Sequence, residues 1–282
     1  MAVTNFIPTI WSARLLTSLS KRHVAGAITN RDYEGDASGD SVKITSITDP
    51  TIGTYTGADI TTEDIDDATR SLLLDQKKYF SFYLDDVERA QSVNGGALMI
   101  EAADRAAYGL ANTLDAYVLS QIHANATKVP ATEETITTVA GVYDQLVDLA
   151  VALDSADVPE ENRWAVVPPS FYGVLLKDSR FVAAGDNAGQ ATRANGIVGQ
   201  AAGFTIYKSN NLPNAASGTS STNKPVLAGT TYATTMAEQV RSVEAFRLEK
   251  KFADGVKGLH VYGVKVTRTE SVVTADIVLN IS

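Results

Sequence analysis

The sequence predicts an α+β subunit with a basic N-terminal arm, an extended β-hairpin loop and one long organising helix. Three observations carry that reading. Up to position 31 the chain holds Arg14, Lys21, Arg22 and Arg31 and no acid. From about Asp49 to Arg70 it is rich in Thr, Asp, Ile and Gly without helical period, too long a stretch for a tight turn. From about Ala97 to Ala124, Ala103, Ala107, Leu110, Leu114 and Tyr117 recur at spacings of four, three, four and three, the stripe of an amphipathic helix. Its roughly 28 residues would extend about 40 Å, longer than the average globular helix.

In chain order, Trp11, Leu15 and Leu19 fall at i, i+4 and i+8, giving the arm an apolar stripe between basic flanks, a surface that needs a partner. Val42, Ile44 and Ile47 predict a short strand with alternating faces. The run Ser71 to Leu84, with Leu72, Leu74, Tyr79, Phe80 and Phe82, predicts the strand that returns beside it. The tip of this excursion falls between Thr51 and Asp67, where Gly53, Gly57, Asp59, Glu63, Asp64, Asp66 and Asp67 gather. The long helix begins after Asn94-Gly95-Gly96 and is closed by Thr127 to Pro130. A second helix is expected from about Val139 to Leu153, on the stripe Val142, Leu146, Leu149 and Leu153. Trp164 to Val167 reads as a buried strand ended by Pro168-Pro169, and Ser170 is the expected N-cap of a short helix holding Phe171, Val174 and Leu175. A strand from Phe204 to Lys208 follows Gly203, and Asn214 to Asn223 reads as a surface excursion. Near the end, Leu259, Val261 and Gly263 alternate with His260, Tyr262 and Val264. Arg268-Thr269-Glu270 joins them to one more β-branched run, Ser271 to Asn280.

With 282 residues and 44% apolar composition, the chain can bury a full core as one large or two smaller domains. The formal charge is -9, and because the arm is basic the remainder carries the whole acidic excess, which favours arm-to-body contacts. An acidic body argues against a tight grip on DNA, since phosphate binding needs clustered Lys and Arg to release counterions. Without cysteine, neither disulfides nor thiolate metal sites are expected. Pro8, Thr9 and Ser12 interrupt any signal-peptide pattern around Ile7, Ile10 and Trp11, and no stretch approaches the roughly 20 apolar residues of a membrane span. A soluble, intracellular chain is the expectation.

His23, His123 and His260 lie in the arm, at a helix end and in a strand, and nothing in the sequence couples them. There is no HExxH, GxSxG, Walker A or GxGxxG pattern, so no catalytic residue, cofactor or metal is expected. Asp85-Asp86 and Asp64/Asp66/Asp67 could serve as general acid and base or as Mg²⁺ ligands, but an acidic edge facing solvent or a neighbour is the simpler reading. Trp11 suits anchoring to a partner as well as packing on its own subunit. Lys77 and Lys78 can bridge to acids on a neighbouring subunit, where exposed ion pairs add only about 0–1 kcal/mol each and so set register. The candidate interface therefore comprises Trp11, Arg14, Leu15, Lys21, Arg22 and Arg31 in the arm, Asp59, Glu63, Asp64, Asp66 and Asp67 at the tip, and Lys77 and Lys78 beside it.

Four stretches together resemble a known family. They are Phe6 to Lys21 with Asn30, Tyr33-Glu34-Gly35 and Gly39 to Ile44; Val166 to Tyr172 with Leu175 to Asp178 and Arg180-Phe181; Asn195 to Gly199 followed by Gly203 to Pro213; and Phe252 to Val264. The family is the major capsid proteins of tailed bacteriophages with the Hong Kong 97-type fold, and the resemblance runs over nearly the whole chain. It implies an N-terminal arm at 1–40, an extended loop with flanking strands at 41–92, and the spine helix of a peripheral domain at 93–130. It further implies an axial domain at 131–237, peripheral strands at 238–270, and a C-terminal strand at 271–282 able to return to the axial domain.

The function implied is that of a structural protein, not an enzyme, which self-associates into hexamers and pentamers of an icosahedral head around double-stranded DNA. Such a chain is assembled in the host cytoplasm and resides in the virion capsid. The implied partners are other copies, the portal, a decoration protein and packaged DNA held without tight or specific binding, with no membrane. Because the chain enters its arm almost at once, a separate scaffolding protein is also implied. Some relatives join subunits by Lys–Asn isopeptide bonds aided by a glutamate; Lys77 and Lys78 sit near the appropriate loop, but no Asn and Glu match, so cross-linking is not expected. An encapsulin-type bacterial compartment shares the fold and is the alternative, and a soluble hydrolase using Asp or Glu dyads is the reading from another class.

Overall fold

The computed structural model describes residues 23–33, 41–47, 52, 54, 67–86, 95–178, 197–214 and 223–281. Their order is a short helix α1 (Ala25–Ile28), strands β1 (Ser41–Ile47), β2 (Asp67–Leu73) and β3 (Gln76–Asp85), and the long helix α2 (Gly95–Asn125). There follow β4 (Thr127–Lys128), β5 (Glu134–Ile136), α3 (Val139–Ser155), β6 (Arg163–Val167), α4 (Pro169–Leu175), β7 (Ile197–Ala201) and β8 (Phe204–Lys208). The chain continues with β9 (Val226–Thr230), β10 (Thr234–Arg247), β11 (Ala253–Val266), β12 (Val272–Ala275) and β13 (Ile277–Leu279).

The apolar stripe that predicts α2 is the face it buries. Leu114, Val118, Leu119 and Ile122 pack with Trp164, Val166, Leu227 and Val272, while Ala107, Leu110 and Ala111 pack against Val243, Val256, Phe80 and Phe82. The two halves of one 31-residue helix, about 46 Å long, thus close two different sheets.

The larger sheet has six strands in the order β4-β12-β9-β6-β8-β7. Its opposite face is covered by Val142, Leu146, Leu149 and Leu153 of α3 and by Phe171 and Leu175 of α4. Strands covered on both sides cannot alternate apolar with polar residues, and β6 and β9 are buried at every position. In β6, Ala165 and Val167 face α3 while Trp164 and Val166 face α2. Helix α3 begins at Thr138, whose side-chain oxygen accepts the Gly141 N–H at 3.2 Å. Helix α4 differs from expectation: Pro169 occupies its first turn, Pro168 is the cap residue and Ser170 lies inside the helix, because proline's fixed φ suits a helix start.

The smaller sheet, β10-β11-β3, is antiparallel, with Gly258 opposite Phe80 and Val256 opposite Phe82 on the side facing α2. Here a second expectation is corrected. The run Ser71 to Leu84 is not one strand: β2 pairs with β1 from Leu73 opposite Ser41 to Asp67 opposite Ile47, whereas β3 pairs with β11. The chain switches sheets at Leu74-Asp75. The β1–β2 hairpin then lies across β10 and β11, seating Val42, Ile44, Leu72 and Leu74 on Ala237 and Val261. This crossing depends on Gly263, where a Cβ would sit 2.1 Å from the Leu73 carbonyl oxygen. It also removes the alternation expected in β11, since His260, Val261, Tyr262 and Gly263 are all buried with α2 on one side and the hairpin on the other. The last β-branched run likewise divides: β12 joins the six-stranded sheet and β13 pairs in parallel with β5.

Candidate functional site

Two regions stand out among the described residues: the root of the arm and the open side of the small sheet. At the root, Asn30 is inserted beside β10, donating its N–H to the Thr234 carbonyl (2.8 Å) and accepting the Met236 N–H (2.9 Å). Helix α1 buries Ala25 and Ile28 against α2. Above it, the Asp115 carboxylate accepts the backbone N–H groups of Val24 (3.0 Å) and Ala25 (2.9 Å), the Ser209 hydroxyl (3.3 Å) and the Asn211 amide (2.9 Å). One side chain of the spine helix thereby ties the arm and the segment after β8 together.

A second knot lies next to it. Arg31 donates to Glu238 on β10, and His260 Nε2 on β11 lies 3.4 Å from the other Glu238 oxygen. Burial alone would raise the Glu238 pKa, but the neighbouring His260 and the charge of Arg31 outweigh it and hold the carboxyl below its ordinary value. His23 stands in the same group, its pKa lowered chiefly by burial and opposed by Glu238 and Asp115. The fold thus couples His23 and His260, which the sequence left unconnected. The third histidine, His123, is 3.7 Å from Asp276, which also pairs with Lys128 at 2.8 Å, and burial lowers the His123 pKa. Among the described residues no group of three or more His, Cys, Asp or Glu could hold a metal ion, and no helix is long and apolar enough to cross a membrane.

The open side of the small sheet is the face away from α2. Tyr79 (80% exposed) and Tyr83 (52% exposed) project there from β3, the edge strand. Phe246 and Gly255 stand opposite each other, and a Cβ on Gly255 would lie 2.7 Å from the Phe246 ring, so the aromatic occupies the space a side chain there would take. Lys257 pairs with Glu244 at 2.9 Å, and the Lys251 ammonium sits 5.1 Å from the centre of the Tyr83 ring. At the far end, Arg247 binds Asp86 (2.7 Å) and Asp254 (3.0 Å), so Asp86 is part of an ion-pair network on the surface.

Of the sequence-predicted interface residues, Lys77 and Lys78 are exposed on β3 opposite Val261 and His260. Arg31 is engaged within its own subunit by Glu238, an arm-to-body contact of the kind the charge asymmetry favours. Asp67, assigned above to the hairpin tip, instead begins β2 opposite Ile47, because the ladder reaches further out than the apolar residues indicate. Trp11, Arg14, Leu15, Lys21, Arg22, Asp59, Glu63, Asp64 and Asp66 lie outside the described residues. Sequence reasoning singled out neither Asp115 and Glu238, which organise the arm root, nor the outward placement of Tyr79 and Tyr83. Only the exposed tyrosines left a signal, as aromatics alternating with Phe80 and Phe82 on a strand that needs one apolar face.

Residues 68–275 match the phage capsid protein family. No curated protein matches the chain in sequence. Among solved structures, one from Mycobacterium phage Che8 is 29% identical and superposes with a TM-score of 0.72 over 90% of this chain and 91% of that one. The asymmetric unit of the bacteriophage PhiM1 mature capsid (18% identity, TM-score 0.62, 88% of this chain and 87% of that one) shares the fold. So does a virus-like particle from Pyrococcus furiosus (14% identity, TM-score 0.58, 94% and 96%). The fold is therefore the Hong Kong 97 type, and with nearly three quarters of its length in the match, this chain belongs to the phage capsid protein family.

Proposed function

We propose that this chain is the major head protein of a tailed bacteriophage, and that it closes into an icosahedral shell of hexamers and pentamers around double-stranded DNA. The observation that carries this reading is the family match over residues 68–275, which spans the spine helix and both sheets. The six-stranded sheet with α3 and α4 corresponds to the axial part of such a subunit, and α2 with the small sheet to the peripheral part. Self-association has its surface in the β3 edge with Lys77, Lys78, Tyr79 and Tyr83, complementary in charge to the acids Asp59, Glu63, Asp64 and Asp66 of a neighbour's hairpin tip. Each such contact is weak, and closed symmetry multiplies them. Scaffold and portal act during assembly, and a decoration protein can bind the finished shell. An encapsulin-type compartment is the weaker alternative, since the family model this chain matches is that of a phage capsid protein.

Expression of the chain with its head-gene neighbours, scaffold included, followed by electron microscopy tests this. Closed isometric shells are expected, and exclusively monomeric protein at high concentration would overturn the reading.

A further inference from the structure

We propose that the arm is held by an acid-labile latch, in which neutral His23 caps α1 through its Nδ1 and protonation of that nitrogen releases residues 23–31 from the spine helix. Nδ1 of His23 accepts the Gly26 N–H at 3.0 Å. An imidazole nitrogen that accepts cannot carry a proton, so the ring's one hydrogen is on Nε2, which is buried with no hydrogen-bond partner. A second proton places an N–H on Nδ1, facing the N–H of Gly26: the cap is lost and two donors oppose each other. The ring lies close over the start of the helix, where a Cβ on residue 26 would be 2.9 Å from His23 Cε1, so glycine leaves it room to cap.

The surroundings mix acids with bases. The charged groups facing His23 are Asp115 from α2, Glu238 from β10, His260 from β11 and Arg31 from the arm, with Lys78 of β3 opposite His260. Asp115 already receives four donors; one Glu238 oxygen takes Arg31, and the other, 3.4 Å from His260 Nε2, is buried without a hydrogen-bond partner. Burial holds the His23 pKa below 6.5, and Arg31 and His260 act in the same sense. A histidine with a lowered docked pKa contributes fully above 6.5, and that contribution fades as pH falls below 6.5 towards the docked value. Glu238, whose pKa is held below 4.5, begins to lose its contribution only once pH falls below 4.5. Between those two points His23 sets the response.

Hydrogen exchange of the full chain, corrected for intrinsic rates, tests the latch between about pH 7.5 and about pH 5. Protection of the amides of Val24 to Thr29 should fall by up to about tenfold per pH unit below 6.5, while amides in the middle of α2 stay protected. His23→Asn, which caps without titrating, should keep arm protection flat over the same range. Unchanged wild-type protection, or an equal acid loss in His23→Asn, would overturn the proposal. The ring-carbon NMR shift of His23 gives an independent check on the wild-type chain, since titration at or above 6.5 contradicts the latch. The readout is on the subunit itself and does not depend on shell formation.

Discussion

Asp115 shows how much one residue can organise. In the middle of α2 its backbone groups are satisfied by the helix, so its carboxylate is available to others, and it is only 2% exposed. It supplies the acceptor for two arm N–H groups and two side chains. Leaving buried donors without a partner costs about 1–3 kcal/mol each. Asp115→Ala should therefore lower the unfolding free energy of the subunit by about 3 kcal/mol, read as a shift of the urea midpoint at constant m-value. A change below about 0.5 kcal/mol would mean that water replaces the carboxylate. None of this was legible in the sequence. An acid beside Leu114 reads as the polar flank of an amphipathic helix, and its partners Val24, Ala25, Ser209 and Asn211 are brought to it by tertiary structure alone. The same holds for His23 and His260. Arg31 reads from the sequence as part of the interface with a neighbour, and only the charge asymmetry between arm and body points to a pairing within its own subunit.

At the scale of elements, α2 was legible because a periodic stripe survives whatever it packs on, and its observed ends lie within two residues of those expected. β3 was not separable from β2, because the aromatic run carries no Gly or Pro; the break at Leu74-Asp75 is imposed by the crossing over Gly263 in a distant strand. β9 escaped for the opposite reason. Gly229 looks like a breaker, yet it is where the chain approaches the Ser271 carbonyl, with a Cβ there only 2.8 Å away. These roles separate fold from assembly. Leu114 is fully buried, so Leu114→Asp should cost several kcal/mol, about 4 or more, and abolish soluble subunit. Tyr79 is 80% exposed on the edge strand, so Tyr79→Ser should leave the melting temperature of the subunit within about 2 °C while shell yield falls in sedimentation. Normal shell yield from Tyr79→Ser would remove the β3 edge from the interface.

For the whole molecule, the decisive quantity is a formal charge of -9 on a chain proposed to surround a polyanion. A container that gripped its contents would bind them before closing, whereas an acidic wall lets duplex slide past it. The free subunit should accordingly retain no double-stranded DNA in a gel-shift assay at about 0.15 M salt, where nonspecific binders of the opposite charge hold it at micromolar concentrations. Retention that weakens steeply with added salt would show that the basic arm acts as a DNA-binding tail.

A wall around packed duplex, the role proposed for this chain, would also be a loaded structure, and here the shared spine has a mechanical meaning. Because α2 is built into both cores, a push on the small sheet travels along one unbroken column of peptide hydrogen bonds into the large one. No loop intervenes to bend, and shearing the sheets apart would require dragging Leu110 and Leu114 out of their separate pockets. The subunit bears stress as a beam clamped at both ends.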